Sequence, residues 1–472
     1  PLFFDNQDSI RFDSLSIAIA FGVLFSGLLY VLSADMGVSG ELTVPIVLLG
    51  LAVFNLLKHK RRIVPKVVVS SYLALGILSA LFIAYGGNVL VGSIMMGIGD
   101  YPPVFFNVDT PLRLTHAHEI LGLTEYPPKS LTTEGVYQPY HYGGPAAAAT
   151  IAAITGLAVH KSMFFVALPV MLLGSFSAIC FLSRSVLRKA SYRYLSIMLF
   201  LPFIGLAKEV QHWIIYNGQI YGVYEMLRRL ALEFLPFNNY DSEHFSEGIW
   251  DISTTAGVFL LTLTAVLLVK RQTRQVLIIS PLLLLLVFFT KINLIPAITV
   301  MLSVRYFASW REYRLSRIFW YIIGTAGSII LALYLFGIFD TVGNSVALKP
   351  ISVMKSILTW RYLNDRMFAE LYVATGASVL FALLLYYSPA SHRNKNKVLL
   401  VISGLVLVYA CFIVHEFIDV WSSRSIAKAS WIGIPLICIA FMSIADRSRG
   451  HRLAVRTFIT PFILIALIGQ WH

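Results

Sequence analysis

The sequence predicts an all-α polytopic membrane protein, on the evidence of its composition, the recurrence of its apolar runs and the placement of its charge. Of 472 residues, 57% are hydrophobic and only 13% charged, which is more apolar surface than one soluble core can bury. A membrane helix needs about 20 apolar residues, and such stretches recur from one end of the chain to the other. The formal charge of +13 is concentrated in short connectors between those stretches, which argues against a nucleic-acid-binding surface.

The apolar runs capable of crossing are 14–33, 42–57, 66–86, 162–182, 194–208, 252–269, 276–290, 292–308, 318–338, 368–387, 398–415, 430–445 and 457–471. They predict about thirteen transmembrane helices in a single transmembrane domain covering residues 1–472. Six basic connectors separate them: 58–66, 183–193, 270–274, 305–317, 391–397 and 446–456. Short loops rich in Lys and Arg stay on the cytoplasmic side. With all six inside, the N-terminus is expected inside and the loops 34–41, 87–161, 209–251, 339–367 and 416–429 outside. The polar, acidic opening PLFFDNQDSIRFD lacks a basic leader segment, so no cleavable signal sequence is expected.

Two stretches test this parity. Residues 144–159, GPAAAATIAAITGLAV, resemble a weak span, but counting them as a crossing would place the basic 183–193 connector outside. They are expected to form a helix lying at the outer interface. The runs 276–290 and 292–308 flank Lys291, and each is short against a hydrocarbon core of about 30 Å. They are either two short helices meeting at a thinned outer surface or a re-entrant hairpin, and count as two crossings. Cys180, Cys411 and Cys438 all lie in apolar runs with no metal or redox spacing, so they read as small lipid- or core-facing residues.

Candidate chemistry concentrates in the outer loops. Between Gly87 and Gly143 the first large loop (87–161) holds five acids, Asp100, Asp109, Glu119, Glu125 and Glu134, against two bases, Arg113 and Lys129. Long loops ordered by Pro and aromatic residues carry function more often than short connectors do. Its densest segment, DTPLRLTHAHE (109–119), predicts a helix opening at Asp109 with Pro111 in the first turn. Asp109, Arg113 and His116 then share a face. Asp109 serves either as a general base held by cationic neighbours or as a simple N-cap. His116 and His118 diverge on a helix, which disfavours a shared metal ion, and no metal or other cofactor is expected. The stretch YQPYHYGG (137–144) sets Tyr140, His141 and Tyr142 before two glycines, a composition suited to a polar ligand that also stacks, such as a sugar ring, and equally to the bilayer interface. The second outer loop (209–251) carries further acids that read as a solvated face. Late in the chain, Arg424 and Lys428 stand one helical turn apart outside the expected membrane, where a lipid phosphate is the natural partner; Arg361 is a weaker candidate of the same kind.

This layout resembles the GT-C superfamily of membrane glycosyltransferases that use polyprenyl-phosphate-linked sugars. Residues 109–143 are similar to an uncharacterised prokaryotic branch of it, through Asp109, Leu112-Arg113, Ile120-Leu121, Pro127-Pro128, Gly135 and Tyr140-His141-Tyr142 running into the Ala-rich helix. The branch usually has His where Arg113 stands, and many superfamily members pair two acids where Asp109 is single. The resemblance implies a GT-C-like fold with juxtamembrane helices in the first outer loop. It also implies inverting transfer with Asp109 as the base, and a sugar site lined by Arg113, His116, His118, Glu119, Tyr140, His141 and Tyr142. Arg424, Lys428 and Arg361 would hold the lipid phosphate. The implied partners are a polyprenyl-phosphate sugar donor, membrane lipids and an extracytoplasmic acceptor that is a lipid, glycan or protein. The implied location is the cytoplasmic membrane with the active face outside. A transporter or flippase and a non-catalytic subunit are the alternative classes. Lys291, within an apolar stretch, is the feature that favours transport.

Overall fold

The computed structural model describes residues 9–59, 66–68, 109–123, 142–200, 252–269, 273–291 and 294–308, and isolated positions at 327, 379, 398, 401, 402, 404, 436, 437, 439, 440, 442 and 443. These residues are almost entirely helical. The expected spans at 318–338, 368–387, 398–415 and 430–445 lie outside them apart from those isolated positions, and 457–471 lies wholly outside.

Helix α1 runs from Phe12 to Asp35. Asp13, in its first turn, meets the positive end of the helix, and its Oδ1 accepts the Ser14 amide at 2.8 Å. Ser16, Ser26 and Ser33 donate to the carbonyls of Phe12, Val23 and Leu29, so the hydroxyls of an apolar helix are satisfied within it. Gly37, at φ 69°, turns the chain where a side chain would be strained. Helix α2, Gly40–His59, follows, and the Tyr30 ring covers Gly40. Much of α2 stands exposed, including Leu42, Ile46, Leu49 and Phe54.

A short parallel pair joins β1, Ser9–Arg11, to β2, Lys66–Val68, with Ile10 opposite Val67. The sequence placed residue 66 at the start of a helix. Residues 66–68 are instead extended and paired with β1, and the β-branched Val67 and Val68 suit a strand.

The next two helices are α3, Asp109–Leu121, and α4, Gly143–Thr155. Helix α5, Val159–Val186, runs through a widened π turn at Ser162–Ala167, where the Leu168 amide reaches back to Met163. Pro169, which has no N–H and crowds the preceding turn, accounts for that widening. Three residues separate the end of α5 from helix α6, Ala190–Phe200, so the basic connector 183–193 is mostly helical. Arg193 Nε donates to the Leu187 carbonyl at 2.9 Å, and the Ser183 and Ser196 hydroxyls bond each other, closing the corner. Helices α7 (Ile252–Val269), α8 (Thr273–Lys291) and α9 (Ile295–Ala308) complete the described bundle. The break between α8 and α9 falls just after Lys291, so the two runs are separate helices, as the sequence leads one to expect. By length and composition, α1 and α5 are the helices long and apolar enough to cross a membrane among the described residues.

The core sits where α1, α4, α5 and α7 meet. Helices α1 and α5 are antiparallel: Asp13 lies beside Arg184, and Ala20 lies against Gly174, where Phe259 of α7 also packs. Further along α1, a Cβ on Gly27 would come 2.8 Å from the Ala147 amide nitrogen, so α1 and α4 touch backbone to backbone. Asp13 and Gly27 are separated by about 21 Å at 1.5 Å per residue. One end of the bundle therefore holds the start of α1 and the end of α5. The other holds α4, the start of α7 and the end of α8. The helix within the stretch 144–159 occupies 143–155 and is buried from Gly143 to Thr150, where its alanines let neighbouring helices close upon it.

The Asp13–Arg184 pair, at 2.6 Å with Asp13 fully buried, closes the first end. Arg184 also lies over the Phe181 ring at 5.5 Å. Loss of one member of such a pair costs about 3–5 kcal/mol because the other charge stays buried. Arg184→Gln should lower the thermal unfolding midpoint of the purified chain markedly, and adding Asp13→Asn to it should recover most of the loss. Gly27→Val has no flexible neighbour to displace and should destabilise by about 1–3 kcal/mol in the same measurement.

Candidate functional site

Helix α3 opens at Asp109 with Pro111 in its first turn, as the sequence led one to expect. It packs on α4 and touches the first turn of α5. The face turned inward carries Arg113, His116, Ala117, Glu119 and Ile120. Arg113 is 1% exposed and His116 2%, depths that charged and imidazole side chains seldom reach. His118 is exposed. The two histidines are thus divided by the helix, and only His116 joins the buried cluster.

The cluster extends to the start of α4. The rings of His116 and Tyr142 lie with centroids 5.1 Å apart at an angle of 56°, a tilted contact within the range aromatic pairs favour. Tyr142, 3% exposed, immediately precedes α4. Two residues twenty-six positions apart in sequence, each expected to bind substrate, are therefore neighbours in space. Gly143 and Gly144 then bring the α4 backbone against α8 and α7. The missing Cβ of Gly143 makes room for Thr290, and that of Gly144 makes room for Ile252 and Ser253. Lys291, 4% exposed, ends α8 with its stem beside Gly257 of α7. Ionisable, aromatic and hydroxyl groups of α3, of α8 and of Tyr142 before α4 thus gather at one end of the bundle.

The side chain of Asp109 and all of Tyr140, His141, Arg361, Arg424 and Lys428 lie outside the described residues. So does the meeting of early acids with late cations that the sequence suggested. Among the described residues, no three of His, Cys, Asp and Glu stand close enough to hold a metal ion. Sequence reasoning gave Thr290 no role. The signal for its neighbourhood was the Gly-Gly-Pro opening of the alanine helix, where two residues without side chains invite close approach.

The inward and outward faces of α3 make a contrast that can be measured. His116→Ala should lower stability by about 1–3 kcal/mol, since it opens space beside Tyr142 and disturbs a buried polar cluster. His118→Ala should stay within about 0.5 kcal/mol of the unmodified chain. Thermal unfolding of the two variants side by side checks this. Comparison of the chain with protein-family models, with curated proteins and with solved structures returned no match.

Proposed function

We propose that the chain is a polytopic membrane glycosyltransferase of the GT-C kind, transferring a sugar from a polyprenyl-phosphate donor to an extracytoplasmic acceptor. The observation that carries the reading is the buried Arg113, His116 and Glu119 face of α3 joined to Tyr142, a polar cluster inside an apolar bundle. Ionisable groups at such depth are costly and are kept for binding or catalysis. Asp109, at the head of that helix, is the base that takes the acceptor hydroxyl proton as the oxygen attacks the anomeric carbon. Polyprenyl phosphate leaves from the opposite side with inversion, and Arg424, Lys428 and Arg361 stabilise its charge. Arg113, His116, Glu119, Tyr140, His141 and Tyr142 line the sugar site.

The orientation follows from charge. The β1–β2 pair and the Asp13–Arg184 pair bring the start of α1, Lys66 and the end of α5 towards one end. Lys66 and the end of α5 belong to strongly basic connectors in the sequence, so this end faces the cytoplasm and the α3–α4 cluster faces out. A transporter is the second reading, favoured by the burial of Lys291.

The test is transfer itself, with the full chain in lipid nanodiscs, labelled polyprenyl-phosphate sugars and candidate acceptors. Asp109→Asn should cut the rate by about 10²–10⁴-fold while leaving the unfolding midpoint in place. An Asn variant of undiminished rate would remove the base role. Substrate flux into proteoliposomes without transfer would favour the transporter.

A further inference from the structure

The junction of α4, α7 and α8 has a property that its role in packing does not use. The amides of Gly143 and Gly144 open a helix of 13 residues and have no acceptor within it. Tyr142 supplies no side-chain cap, and the first turn of α4 contains no acid. Helix α7 starts at the same place, with Ile252 and the Ser253 amide against Gly144, and its first turn is also free of acids. Two positive helix ends therefore converge. The carboxyl end of α8 arrives beside them, and Lys291 in its last turn offsets the partial negative charge it brings.

Thr290 supplies the second, independent observation. Most buried hydroxyls in this bundle donate to a carbonyl one turn back: Thr150 to Ala146, Thr262 to Phe259, Thr264 to Leu260 and Ser175 to Met171. Thr290, like Ser162, Ser177 and Thr299, does not. Its Oγ1 is fully buried, has no hydrogen-bond partner among the described residues and sits so close to Gly143 that a Cβ there would collide with it. A buried hydroxyl that forgoes its local bond and points at a helix N-terminus is arranged for a ligand that accepts hydrogen bonds.

We infer that the Gly143–Gly144 amides, the Thr290 hydroxyl and the start of α7 form a binding site for a phosphoryl anion. Backbone amides at a helix N-terminus and a hydroxyl donor are the groups that cradle phosphate oxygens. Glycines are required there because the backbone must approach both the anion and α8. The inference rests on the proposed function for the carrier of the phosphate, a polyprenyl chain, and on geometry for the phosphate itself. This subsite belongs to the first outer segment and is separate from the late cations Arg424, Lys428 and Arg361.

The experiment titrates the full chain in nanodiscs of neutral lipid with polyprenyl phosphate, with the uncharged polyprenol of equal length and, separately, with inorganic phosphate. Binding is read by native mass spectrometry and by the shift in unfolding midpoint. Polyprenyl phosphate should bind and polyprenol should not; binding of inorganic phosphate alone would assign the same site to a soluble phosphorylated ligand. Thr290→Val keeps the shape and removes the hydroxyl. It should weaken phosphate binding about tenfold without lowering the unfolding midpoint of the ligand-free chain, since no hydrogen bond is lost. Thr290→Ser should bind like the unmodified chain. Undiminished phosphate binding by the Val variant, or no phosphate binding by the unmodified chain, overturns the site. Thr290-dependent binding without any sugar transfer would refute the transferase and leave the anion site standing. Transfer that is indifferent to Thr290→Val would do the reverse.

Discussion

The described structure depends on one steric constraint, the close approach of α4 to its neighbours. A 13-residue helix made largely of glycine and alanine offers almost no side-chain volume. It can be held only if partners come to its backbone. Gly27 of α1 lets that happen on one side, and Gly143 and Gly144 let Thr290 and Ile252 close on the other. Dispersion contacts of this kind are individually weak and depend steeply on distance, so a single added methyl group is felt by several helices together. Because α4 also fixes Tyr142, and Tyr142 meets His116, the packing of alanines sets the geometry of the polar cluster.

The far end of the bundle is organised differently. There the constraint is electrostatic: Asp13 and Arg184 stand at a helix start and a helix end, so each complements the dipole of its own helix as well as the other's charge. A sterically defined end and an electrostatically defined end, about 21 Å apart along α1, give the antiparallel α1–α5 pair a fixed register. Gly174 marks its midpoint, where Ala20 and Phe259 meet it.

Much of this was legible in the sequence. The run 252–269 is a helix with those bounds, 14–33 extends by only two residues at each end, and the split at Lys291 and the helix opening at Asp109 are where composition and capping placed them. Local signals sufficed in each case, namely an unbroken apolar run, a Pro in a first turn or a charge at an end. Three features were not legible, for physical reasons. Residues 66–68 took a strand because a partner at Ser9–Arg11 was present, and pairing across fifty-odd residues leaves no local mark. The close packing of neighbours on 143–155 left no signal in composition, because alanine is only weakly apolar while its small size is what matters among packed helices. Thr290 read as one more hydroxyl in an apolar run, and only the approach of Gly143 gives it meaning. For the candidate site, the spacing of Arg113, His116 and Glu119 on a helix was readable, but their contact with Tyr142 needed the fold.

The arrangement of α1 also bears on biosynthesis. Its charge partner, Arg184, and its steric partner, Ala147, both lie more than a hundred residues downstream. At ribosomal elongation rates of about 5–20 residues per second, the first helix waits roughly 10–30 s for them. Throughout that interval an aspartate destined for the interior and a glycine notch shaped for a helix not yet made stand without their native neighbours. The emerging chain thus passes through a period in which Asp13 lacks its ionic partner, and it ends only when α5 folds back and Arg184 arrives.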